Sequence, residues 1–211
     1  MSLKALPGTW LGVAFCLLYS GCVSMSTLQS PKVLERGESK HGIAGTLFVE
    51  NGVSGMTEFD IWGYYGLGKR TQAGWKFFGI PNLSGGIGAD LKYQLHDAAP
   101  YLALDLGFSY TSTRNIFDED ANNVDAFTIN PALLFGTERL YGGMKGIYLS
   151  STVEYELFGK SSKITLDGFT PGLLIGSTLG GRTQLVTELN AYSVRGSLAA
   201  WISFGFQIKS P

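Results

Sequence analysis

The stretch Tyr101-Leu-Ala-Leu-Asp-Leu-Gly-Phe-Ser-Tyr110 alternates apolar and small or polar residues without interruption. Leu102, Leu104, Leu106, Phe108 and Tyr110 fall on one side of a period of two, and Ala103, Asp105, Gly107 and Ser109 on the other. Successive side chains of an extended strand point to opposite faces, so the stretch reads as a strand with one apolar face. The same design recurs where Ile87, Ala89, Leu91, Tyr93 and Leu95 oppose Gly86, Gly88, Asp90, Lys92 and Gln94. It recurs again where Leu198, Ala200, Ile202, Phe204, Phe206 and Ile208 oppose Ser197, Ala199, Trp201, Ser203, Gly205 and Gln207.

Outward from these stretches, the pattern predicts ten strands, over 40–50, 57–68, 72–80, 84–96, 99–111, 124–136, 143–157, 168–178, 182–192 and 196–208. Most are longer than the ~5–6 residues usual in soluble proteins and match the ~9–11 needed to cross a bilayer at a tilt. The non-apolar faces carry Gly, Ser, Thr and Ala more than charge, which suits a narrow lumen. On the apolar faces Lys145 is the main charge, read as lying near a strand end where its long stem reaches the interface. In lipid every backbone group must be paired internally, and only a closed sheet achieves that. The expected fold is therefore all-β, an antiparallel up-and-down transmembrane β-barrel of about ten strands, with eight or twelve also compatible. Tyr65, Trp75, Tyr93, Tyr110 and Phe135 are candidates for aromatic girdles. The competing expectation is an aqueous lipocalin-like barrel, which turns the same alternation inside out.

Composition agrees. Glycine supplies 29 of 211 residues and charged residues 16%, below the ~25% usual in soluble proteins. Lys+Arg 16 against Asp+Glu 17 leaves a net charge of −1, which argues against a broad nucleic-acid surface. The longest links, 51–57, 111–123 and 158–167, are all odd-numbered. With both termini periplasmic these would be external loops, of which 111–123 and 158–167 offer surface to a protein partner.

Ahead of the strands, Lys4 precedes an uncharged run from Trp10 to Tyr19, too short to span a membrane as a helix. A basic start, a short apolar core and small residues Ser20-Gly21 form a secretory signal over residues 1–21. Cys22 follows at once, and the run resembles the lipobox of bacterial lipoproteins, with Tyr19 where that pattern usually has Leu. The resemblance implies acylation of Cys22 by palmitate-type chains and a polar tether over 22–39 leading to a barrel over 40–208. With Cys16 in the signal, no cysteine remains for disulfides, thiol catalysis or metal binding in the folded region. Ser26-Thr27-Leu28-Gln29 and Leu34-Glu35-Arg36-Gly37-Glu38 resemble the opening of lipoprotein-type outer-membrane β-barrel proteins of Gram-negative bacteria. The resemblance implies a lipid-anchored protein of the bacterial outer membrane and no activity. The aromatic terminus usual in that type is followed here by Lys209-Ser210-Pro211.

Chemistry-bearing residues are few. His41 and His96 are the only histidines, and neither stands in a His-Xaa-Ser pattern, so a lipid hydrolase ranks third among the functional readings. The acidic loop through Asp118-Glu119-Asp120 lacks the glycine and acid of a calcium-binding EF-hand, and is read as a solvated loop. No metal or other cofactor is expected. The alternation places Asp60, Lys76, Asp90, Lys92, Asp105, Glu154, Glu156 and Glu188 in the lumen. Small barrels fill their interiors with side chains, so these form a polar network, and the four excess acids need compensation from elsewhere. A structural or partner-binding barrel is the leading reading, with outer-membrane lipid as its surroundings. A narrow cation-preferring channel is the alternative, since rings of carboxylate select cations.

Overall fold

The structure is a computed structural model, and it describes residues 27–50, 53–80, 84–113, 124–157, 160–194 and 197–210. Ten antiparallel strands close into one barrel: β1 (Ser39–Glu50), β2 (Val53–Gly66), β3 (Thr71–Ile80), β4 (Ser84–His96), β5 (Tyr101–Thr113), β6 (Val124–Gly136), β7 (Leu140–Leu157), β8 (Lys160–Gly180), β9 (Thr183–Val194) and β10 (Ser197–Ser210). Each strand pairs with its sequence neighbours, and β1 closes the ring on β10 with Ser39 opposite Ser210 and Val49 opposite Ala200. Closure leaves no edge along the wall, the condition that lipid imposes on a sheet.

The polarity is that of a membrane barrel. Ile43, Phe77, Ile87, Phe135, Leu173 and Phe206 stand outward and exposed, while Asp60, Gln72, Lys92, Thr128, Glu188 and Asn190 are buried inside. The lipocalin-like alternative, which needs an apolar interior, is thereby set aside. Bulky lumen side chains lie across glycines of the neighbouring strand: Trp62 covers Gly42, and Tyr141 covers Gly176.

The termini define one rim, where short links join β2 to β3, β4 to β5, β6 to β7 and β8 to β9. At the far rim two expected loops contract. Residues 53–57 belong to β2, and most of 158–167 belongs to β8, which begins at Lys160. The reason is pairing: Glu154, Tyr155 and Glu156 face Lys163, Ser162 and Ser161, so strand alternation continues where a loop was expected. Only 114–123 separates strands by a long interval, and it lies outside the described residues, as do Cys22 and the acids at 118–120. Because β9 pairs with β8 only from Gly172 onward, the start of β8 stands past the β9–β10 hairpin with β7 as its partner.

The segment ahead of β1 does not trail away from the barrel over its described part. Residues 27–38 form an irregular strap inside the lumen, with Leu28, Gln29, Ser30, Val33 and Leu34 buried. It descends from mid-depth to the terminal rim and there reverses into β1. Leu28, Leu34, Ala44, Trp62, Tyr64 and Val186 make one apolar cluster between strap and wall. A second, of Ala132, Leu134, Tyr141 and Leu174, lies within the wall.

Candidate functional site

The lumen and its strap form the candidate site. Glu188 of β9 points inward at mid-depth and accepts hydrogen bonds from the backbone N–H groups of Thr27 (2.6 Å) and Leu28 (2.8 Å). Asn190 Nδ2 and the Tyr141 hydroxyl donate to the same carboxylate, at 2.9 and 3.3 Å. Leu28 has a left-handed backbone, φ 53°, a strained state for a branched side chain that its surroundings must hold in place. Capture of the Leu28 amide by Glu188 and burial of its side chain supply that hold.

Below, Gln29 donates to Asp105 Oδ2 (2.8 Å) and more weakly to Asp90 Oδ1 (3.5 Å), and accepts from Gln72 Nε2 (2.9 Å). Lys92 Nζ donates to the carbonyl oxygens of Ser30 (2.8 Å) and Lys32 (3.2 Å). Gln94 accepts from Val33 N–H (2.8 Å), and Gln72 from Leu34 N–H (3.1 Å). Tyr64 donates its hydroxyl to the Thr27 carbonyl at 2.8 Å. The strap has no regular secondary structure of its own, so these wall side chains stand where a ladder partner would. An irregular backbone can lie at bilayer depth only when so enclosed.

At the terminal rim the strap turns. Glu38 N–H donates to the Glu35 carbonyl (3.0 Å), Glu35 N–H to the Glu38 carboxylate (2.9 Å), and Gly37 holds φ 91°. Gly37 N–H also donates to the Gly66 carbonyl (3.1 Å), and a Cβ at Gly66 would strike the Glu35 carbonyl. Two ion pairs fasten the turn: Lys32 with Glu138 of the β6–β7 link, and Glu38 with Lys209 of β10 (2.7 Å). Burial raises both carboxyls and is the largest single influence, but the lysine bonds, the nearby lysine charges and, at Glu38, the Glu35 amide together outweigh it and hold Glu138 and Glu38 below their ordinary values. The bond to Glu138 raises Lys32.

Above the strap, Lys76 lies 3.8 Å from Asp60, Thr46 bonds Ser203 (2.9 Å), and Ser109 bonds Thr128. A cavity of about 60 Å³ lies against Gln29, Lys76, Asp90, Asp105, Asn130 and Lys145. That is room for a few waters, since each needs roughly 10–15 Å³.

Of the sequence-nominated lumen residues, Asp60, Lys76, Asp90, Lys92, Asp105 and Glu188 are lumen-facing and lie in this network. Glu154 and Glu156 are in β7 opposite Lys163 and Ser161, and their side chains lie outside the described residues. Lys145 is corrected. It faces the lumen rather than the lipid, donating to Thr27 Oγ1 (3.3 Å) with its ammonium 5.3 Å from the centre of the Tyr192 ring. The strand starts at Leu140, not 143, and the Gly142-Gly143 pair hid the alternation that puts Tyr141, Lys145 and Ile147 on one face. Glu58 was missed although it shares the inward face of β2 with Asp60, two residues along an unbroken alternation; the register irregularity of β2 lies beyond it, between Met56 and Glu58.

The histidines lie apart from this network. His41 is exposed near the terminal rim, its ring 6.3 Å from that of Trp75, and His96 Nδ1 faces the Ala98 carbonyl at 2.8 Å. Among the described residues no group of three or more His, Cys, Asp or Glu side chains is arranged to hold a metal.

No family model and no curated protein matches the chain. Solved structures share the architecture. The translocator domain of autotransporter NalP from Neisseria meningitidis aligns at a TM-score of 0.41 and 13% identity, covering 81% of this chain and 87% of that one. Outer membrane protease OmpT from Escherichia coli gives 0.45 and 10%, covering 86% and 100%. Ail, the attachment invasion locus protein of Yersinia pestis, gives 0.30 and 14%, covering 83% and 99%. These are likenesses of barrel architecture only.

Proposed function

We propose that this chain is a barrel lipoprotein of the bacterial outer membrane, anchored through Cys22 after removal of residues 1–21, with a structural or partner-binding role and a closed lumen. The observation that carries the closed lumen is the strap. Main-chain groups of Thr27, Leu28, Ser30, Lys32, Val33 and Leu34 all bond to inward side chains of the wall. A conducting barrel needs that space for water and ions. The end of β7 paired with the start of β8, standing past the neighbouring hairpin, supports a partner surface on the far side. The role is non-enzymatic, in keeping with histidines that face a tryptophan and a backbone carbonyl.

The test is conductance in planar bilayers. The full chain is expected to be silent, and a variant lacking residues 27–34 to open discrete steps with cation preference. Spontaneous steps from the full chain would overturn the closed-lumen reading in favour of a channel. Incorporation of an alkynyl palmitate, abolished by Cys22→Ser, checks the anchor separately.

A further inference from the structure

Among the described residues, the β6–β7 ladder is interrupted partway along its length. β6 and β7 pair from Val124 opposite Val153 to Ile129 opposite Tyr148, and again from Ala132 opposite Lys145, skipping Asn130-Pro131 against Gly146-Ile147. Proline has no N–H to give a ladder, which makes it foreign to the middle of a sheet. On its other side Gly146 faces a second proline, Pro171 of β8. Two prolines therefore flank one glycine, and the wall there is held by fewer main-chain bonds than elsewhere.

The outer surface over this break is hollowed. A groove of about 530 Å³ runs past Leu91, Leu104, Leu133, Met144 and Phe169, with Pro131 in its wall. The Phe169 ring covers Gly146, where a Cβ would strike it. At its base the groove touches Asp105 and Lys145, whose side chains face the lumen, and the lumen cavity touches the same two residues. Only the thinned wall separates groove from cavity. Leu104, Leu133 and Met144 lie within a few residues of the terminal-rim ends of their strands, so the groove belongs to the leaflet on that side.

We propose that the β6–β7 break is a lateral lipid site, in which one acyl chain of a phospholipid from the terminal-side leaflet lies in the groove against Pro131 and Gly146. The face is apolar and bilayer-directed, so an acyl chain is the occupant its surroundings offer. The hollow gives that chain more contact than the convex wall elsewhere, and dispersion contacts accumulate with each methylene buried. The proposal rests on the bilayer-spanning reading, which heat-dependent migration of the same samples checks separately.

The full chain is reconstituted in vesicles of phosphatidylethanolamine and phosphatidylglycerol, released into mild detergent and weighed by native mass spectrometry. The wild type is expected to retain one phospholipid. Met144→Trp, which fills the groove, should reduce that species at least tenfold, while Ile87→Trp, on an outward face away from the groove, should leave it unchanged. Pro131→Val restores a ladder donor without filling the groove and should reduce retention several-fold. Equal retention by wild type, Met144→Trp and Pro131→Val would overturn the proposal. Protein taken from native membranes carrying lipopolysaccharide in place of phospholipid would overturn the assignment to the terminal-side leaflet.

Discussion

Glu188 is the residue on which the strap depends most, because its one carboxylate satisfies two consecutive main-chain amides at the strap's deepest point. Hydrogen bonds to charged groups contribute ~1.5–3 kcal/mol each, and a buried donor left without a partner costs ~1–3 kcal/mol. Glu188→Ala should therefore weaken strap docking by about 3 kcal/mol or more, with Leu28 free to leave its left-handed state. Limited proteolysis of the folded barrel reads this directly: cleavage within residues 27–38 should rise by two orders of magnitude, while the strands stay intact. Resistance equal to wild type would mean that the apolar cluster of Leu28 and Leu34 holds the strap without the carboxylate. Lys145 bears on the charge balance at the same scale. Among the described residues Lys145 adds a cation to the lumen, and the amides of Thr27 and Leu28 satisfy the Glu188 carboxylate, a main-chain source that no count of charged side chains reveals.

Among the elements, the strap and the β6–β7 pair have separable behaviour. The rim end of the strap is fastened by Lys32–Glu138 and Glu38–Lys209, and both carboxyls are held below their ordinary value of 4.5. A carboxyl lowered in the folded state contributes stability above its unfolded value and loses it as pH falls through the folded one. Hydrogen exchange over residues 33–38, corrected for its intrinsic rate, should stay flat from pH 7 to 5 and accelerate below 4.5. The effect is modest, under about 1 kcal/mol per pair, because half of the Glu138 side chain is exposed. An onset near pH 6 would point to a group other than these acids. For β6–β7, Pro131→Val should slow exchange of the Gly146 amide relative to Met144, since the skipped pairing can then form. No slowing would mean that Gly146 rather than Pro131 interrupts the pairing.

Taken whole, the molecule is a barrel whose strands were legible in the sequence and whose interior was not. Period-two alternation in β4, β5 and β10 is a local property of the chain, and the strands formed within a few residues of where it placed them. Two hairpin ends, 53–57 and 160–167, read as loops from sequence alone because continuation there depends on pairing with the preceding strand, β1 and β7 respectively. The strap was read as a polar tether because it has no periodicity. Its order comes from wall residues far away in sequence, such as Gln72, Lys92 and Glu188. In hindsight the motif Leu34-Glu35-Arg36-Gly37-Glu38 encodes its exit turn: a buried leucine, a left-handed glycine and an acid that caps the turn and pairs with Lys209. Thiol labelling reads whether residues 27–34 occupy the lumen. In a chain with Cys16 and Cys22 replaced by serine, Ser30→Cys puts a near-isosteric thiol at a position 7% exposed, and Arg36→Cys puts one on the exposed turn. A bulky maleimide should label Arg36→Cys rapidly in the native barrel and Ser30→Cys only after heat unfolding. Equal labelling of the two in the native state would contradict a strap lodged in the lumen.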